Sequence, residues 1–111
     1  MSVQSPFQPK RGGNKKVTAS TTSTTMSIGK GEKSLRILNS GAVVGYFRTF
    51  DSTDAADVTA AVCTSADTPV GPAGAASSTL VIEKPERHDS VAYLADSTTT
   101  VLHFQPGEGN S

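Results

Sequence analysis

Histidine, cysteine and clustered carboxylates are the side chains on which catalysis or metal binding would rest in this chain, and they are few. His88 and His103 are the two histidines and Cys63 is the single cysteine. His88 stands beside Asp89 in the turn PERHD, a pairing that in a hydrolase would set a base next to its orienter. Catalytic partners normally come from distant parts of a chain, and no G-x-S-x-G elbow accompanies this pair. His103 lies between Leu102 and Phe104, so in a strand it faces opposite to both, towards solvent. One cysteine and two histidines do not complete a four-ligand zinc site without carboxylates. Asp51, Asp54 and Asp57 recur at every third position, not at the one-three-five spacing of a calcium loop. They read as a solvated acidic loop, with a cation at an inter-subunit contact as the alternative. SIGKGEKS (27–34) lacks the first glycine of a phosphate loop and the surrounding parallel βαβ unit, so it reads as a hairpin turn. No catalytic residue, metal ligand or cofactor-binding residue is expected, and the chain reads as not an enzyme.

The one segment that points to a partner is the start of the chain. Lys10, Arg11, Lys15 and Lys16 fall in the first sixteen residues with no acid among them, and Phe7 is the aromatic of that stretch. Two prolines and a glycine pair break it up, and it cannot bury enough surface to fold alone. Residues 1–16 therefore read as a flexible basic arm, with Phe7 as an apolar anchor and the four cations meeting an acidic protein surface. A solvated tail and a phosphate-binding tail are the other readings. Nucleic acid is the least favoured, because no aromatics interleave with the cations for base stacking.

The rest of the composition bounds what can hold such an arm. The chain has 111 residues, 35% of them hydrophobic and 5% aromatic, without tryptophan. That allows one small domain with a thin core, of the kind whose stability neighbours complete. Formal net charge is zero, so bulk charge recruits neither nucleic acid nor membrane. A lone cysteine fits a reducing cytosol, and no apolar run approaches a membrane span or a secretion signal.

From Val17 the texture is that of strands. VTASTTSTTMSI is dense in β-branched threonine. SLRILNS (34–40) alternates, with Leu35 and Ile37 on one face and Arg36 on the other. Asn39-Ser40-Gly41 reads as a turn because Asn and Gly tolerate positive φ. AVVGYFRTF (42–50) is apolar on both faces, as a covered strand would be. DSTDAADVTAAV (51–62), capped by Asp51 or Ser52, reads as a loop with a short helical turn. Prolines and glycines in 63–78 leave room only for a short edge strand at Thr68 to Val70. STLVIEK (78–84), SVAYLAD (90–96) and TTTVLHFQ (98–105) complete six to eight short antiparallel strands. The expected fold is all-β, a single small β-sandwich or jelly-roll-like domain over residues 17–106, with a polar tail at 107–111.

From about Val17 to Gly109 the order of these segments resembles small structural proteins of tailed bacteriophages. The resemblance is carried by the Thr/Ser-rich opening, the R-[IL]-x-N-S-G turn in SLRILNSGAVVGYFRTF, the stretch TPVGPAGAASSTLVIEKP, the strand DSVAYLAD and the glycine-ended TTTVLHFQPGEG. It implies a β-sandwich decoration or cement protein on the exterior of a virion head, made in the host bacterial cytoplasm. The implied partners are the major capsid protein and further copies of the chain, as a homotrimer. A head-tail connector, collar or tail component is the alternative, as is a host-surface or glycan-binding module. No active-site residue is carried over.

Overall fold

A computed structural model describes residues 8–9, 13–29 and 31–108. Its elements are β1 (Gln8–Pro9), β2 (Lys15–Ala19), β3 (Thr24–Ser27), β4 (Ser34–Asn39), β5 (Gly45–Phe50), helix α1 (Ala55–Ala60), β6 (Thr68–Val70), β7 (Thr79–Glu83), β8 (Ser90–Ala95) and β9 (Thr100–Glu108). A short 3-10 turn, Ala76–Ser78, leads into β7. Two antiparallel sheets form. In the first, β1 and β2 share one edge of β9, followed by β4 and β7; the second runs β3-β8-β5-β6. Counting β1 and β2 as one lane, the order β2-β9-β4-β7 over β3-β8-β5-β6 is that of a jelly roll. From β2 onward every connection except β5 to β6 passes from one sheet to the other. No helix among the described residues is long and apolar enough to cross a membrane.

Period-2 alternation builds the core, as the sequence indicates. Leu35, Ile37, Leu102 and Phe104 point inward from the first sheet; Phe47, Val91, Tyr93 and Ala95 meet them from the second. Phe104 packs edge-on to Phe47, with ring centroids 6.0 Å apart, and lies 5.9 Å from Tyr93. The outer face of the second sheet is covered as well. Phe50 and Ala92 there pack with Ala61 and Cys63 from the α1 segment, flanked by Tyr46 and Leu94. That cover explains why β5 is apolar on both faces.

Four local expectations change. The Thr/Ser-rich opening is two strands, because the chain leaves the first sheet at Ser20 to Ser23: the Ser20 carbonyl accepts from Ala95 N at 2.7 Å and Ser23 Oγ from Cys63 N at 2.8 Å. Asn39-Ser40-Gly41 is a crossover between sheets, and neither Asn39 nor Gly41 has positive φ. The Asn39 side chain organises it, while Gly41 is required because a Cβ there would stand 2.7 Å from Val101 N. The helical turn is a six-residue helix capped by Asp54, not by Asp51 or Ser52. Finally, the paired chain exceeds the expected boundaries at both ends. β2 takes in Lys15 and Lys16, and β9 continues to Glu108 because β1 and β4 both pair with its last turnless stretch.

Candidate functional site

Of the residues with catalytic potential, the structure gathers one set at the end of the sandwich where α1 meets the β7–β8 connection. Thr49, the last inward residue of β5, places Oγ1 2.8 Å from His88 Nδ1. His88 Nε2 stands 3.7 Å from Asp57 Oδ2, beyond hydrogen-bond length. The same Asp57 oxygen accepts from Asp51 N at 3.1 Å and lies 3.9 Å from Arg87 Nη1. Asp89, the chain neighbour of His88, accepts instead from Ser52 N and Oγ at 2.9 and 2.7 Å. The three aspartates at every third position thus part company: Asp51 and Asp57 gather around Arg87, while Asp54 caps α1. The set crosslinks three chain segments, with its hydroxyl and carboxylate each committed to structural contacts. Among the described residues, no group of three or more His, Cys, Asp or Glu is placed to hold a metal ion.

Lys84 is a neighbouring buried cation, 5% exposed. Its Nζ donates to the carbonyls of Glu32 and His88 at 2.6 and 3.0 Å. Burial lowers its pKa, an effect that nearby acids, Glu32 first, partly offset. Cys63 lies under the α1 segment, and burial, aided by Asp67, pushes its thiol up to about 12. Such a thiol is a poor nucleophile.

The outer faces of the two sheets differ. No apolar cluster of described residues lies across the outside of the first sheet. Register places Lys16, His103, Leu38 and Thr79 in one row across it, and Gln105, Arg36 and Val81 in the next. Arg36 Nη2 donates to Gln105 Oε1 at 2.5 Å, and Ser40 Oγ meets His103 Nε2 at 3.1 Å. Leu38 is 37% exposed. Asn14, Arg36, Leu38, His103 and Gln105 line a shallow depression of about 320 Å³. Arg36 is the cation of its lining, Lys16 lies beside His103 on the neighbouring strand, and Glu83 on β7 is an acid on the same face. The acids Asp51, Asp54, Asp57 and Asp67 sit on the opposite side, in the segment that covers the second sheet.

The expected partner residues divide. Phe7, Lys10 and Arg11 lie outside the described residues. Lys15 and Lys16 are exposed at the head of β2, paired with Phe104 and His103. Arg36, Leu38 and Gln105 share the outer face with Lys16, whereas Lys15 alternates to the other face; these three were not singled out from sequence as partner residues. Arg36 did appear there as the outward residue of its strand, which was the available signal. His103 faces outward, as its position between Leu102 and Phe104 indicates. Compared with known proteins, the chain matches no family model and no curated sequence.

Proposed function

We propose that this jelly-roll protein is a non-enzymatic structural component of a tailed-phage virion, a decoration or cement protein that binds the assembled head and bridges neighbouring capsid subunits. The observation that carries the reading is the cation-bearing outer face of the first sheet, which no apolar cluster of described residues covers and where Lys16 and Arg36 lie, Lys16 on the strand that follows the basic start of the chain. A lattice of major capsid protein supplies the acidic, repeated surface that such a face and arm fit. Binding the assembled lattice in preference to free subunits would shift the equilibrium towards the intact shell. Three copies grouped about a local threefold axis would give each arm a neighbour to reach. The virion placement rests on the resemblance of residues 17–109.

Mass spectrometry of purified particles tests this by counting copies against the major capsid protein. Near-equal numbers are expected. A few copies per particle would overturn the cement role in favour of a connector, collar or host-binding position. Replacing Lys10, Arg11, Lys15 and Lys16 together by alanine should weaken co-sedimentation with heads, and unchanged binding would remove the arm from the interface.

A further inference from the structure

Among the described residues the two sheets end in four edge lanes, and three are blunted. The β1/β2 lane carries Pro9, Lys15 and Lys16, and five residues separate its two strands where two suffice on β9. β3 and β6 have only four and three residues, and β6 contains Pro69. Charge, proline and shortness are the usual guards against edge pairing. β7, with the sequence TLVIE, has no proline and no lysine, and among the described residues it pairs only with β4.

The direction of its outward backbone groups follows from one bond. Lys84 N donates to Lys33 O at 2.8 Å, which makes 33/84 a hydrogen-bonded pair of the β4–β7 ladder. Bonded and non-bonded pairs alternate in antiparallel sheets, so Leu35/Ile82 and Ile37/Leu80 are the bonded pairs within β7. Thr79, Val81 and Glu83 therefore aim their N–H and C=O groups at the sheet edge.

We propose that β7 is a self-pairing edge: two copies of the chain join antiparallel, β7 to β7, about a twofold axis at Val81. In this register Val81 meets Val81 of the second copy and Thr79 meets Glu83, and the outward N–H and C=O of Val81, at the centre of the strand, bond to those of its counterpart. The two faces match as well. Leu80 falls opposite Ile82 of the second copy on the inner face, where both are half-buried and pack against the core. Val81 meets its counterpart on the outer face, a favourable β-branched pair. Glu83, the one charge of the strand, faces the Thr79 hydroxyl and no like charge. A slip of two residues either way sets Leu80 against Lys84 or Ile82 against Ser78 and leaves part of the strand unpaired. The contact is isologous, so it closes at two copies and does not propagate into fibres. It rests on the geometry of one strand and not on the virion reading; in a lattice it would link neighbouring groups of copies.

Sedimentation velocity of the full chain over a concentration series should show a reversible dimer. Val81→Pro removes an outward N–H while leaving the bonds to β4, and should weaken association roughly 30-fold or more. Val81→Lys sets two cations against each other and serves if the proline variant does not fold by circular dichroism. Oxidised Val81→Cys should link two copies, since bonded antiparallel pairs hold Cα atoms about 5.5 Å apart, within disulfide reach. Thr79→Cys alone should not link, whereas a mixture of Thr79→Cys with Glu83→Cys should. A monomer at every concentration, a folded Val81→Lys that still dimerises, or crosslinking of Thr79→Cys alone would each overturn the proposal.

Discussion

Asn39 shows how far a single residue can be read before its surroundings are known. Its sequence context, N-S-G, announces a turn, whereas the chain bends there to cross from one sheet to the other. The mechanism is different: the fully buried amide donates to the carbonyls of Val43 and Val70 at 2.7 and 3.2 Å, and its oxygen accepts from Gly41 N and Thr100 Oγ1 at 2.9 and 2.6 Å. Those partners lie up to 61 residues away, which no local pattern reveals. Asn39→Leu would leave these buried groups unpaired, and a loss of about 3 kcal/mol is expected from the cost of several unsatisfied groups. Urea unfolding would check it as a fall in midpoint at constant slope. Asp89 carries a pH signature at the same scale. Burial raises its carboxyl, but hydrogen bonds from Ser52 and Ser90 outweigh this and hold it below the ordinary aspartate value of 3.8. The unfolded chain takes up that proton more readily, so the stabilisation is present above 3.8 and is lost as pH falls through the depressed folded value. Ser52→Ala should shrink the stability difference between about pH 6 and about pH 3. An unchanged difference would remove the Ser52 bonds as its source.

Among the elements, strands were more legible than the segment 51–67. Alternation identifies β4 and β9 because one face of each is buried, and period 2 then has only one register that works. A six-residue helix has no such signal: it is too short to be stable alone and has no buried residues of its own. It is held by its cap and by the flanking Ala61 and Cys63, which sit on Phe50 and Ala92. Asp54 Oδ1 accepts from Ala56 N at 3.0 Å and Asp57 N at 3.4 Å. Asp54→Ala is expected to cost about 1 kcal/mol, chiefly as local opening of this segment. Cys63 reports on that opening. In the native protein its buried, high-pKa thiol should resist alkylation; in Asp54→Ala, labelling should be several-fold faster while global unfolding shifts little. Equal labelling rates would mean that packing alone holds the segment. The basic face was half legible for a related reason. Arg36 and His103 were placed outward by alternation, but only the jelly-roll order brings β2, β9 and β4 together so that Lys16, His103 and Arg36 share one side.

For the whole molecule, β9 is the strand that makes the sandwich one body. It pairs with β1, β2 and β4, so the last part of the chain must find partners spread over its first third. Such non-local pairing makes folding slow relative to helical proteins of similar size. It also concentrates stability on few side chains, since the core has little aromatic bulk to share the load. Phe104 is fully buried and touches Phe47 and Tyr93 across the inter-sheet space. Phe104→Ala would leave a cavity between the sheets and should cost about 3–5 kcal/mol, against a total of roughly 5–15 kcal/mol for a domain of this class. Thermal unfolding should fall by roughly 15 °C. If two copies join through β7, the melting temperature of both wild type and Phe104→Ala should also rise with protein concentration, because the bound partner stabilises only the folded chain. Val81→Lys should abolish that dependence while leaving the Phe104→Ala loss unchanged, since the two positions lie on opposite sides of the sheet. A concentration dependence that survives in Val81→Lys would place the stabilising contact elsewhere on the molecule, with the cation-bearing face of the first sheet as the next surface to vary.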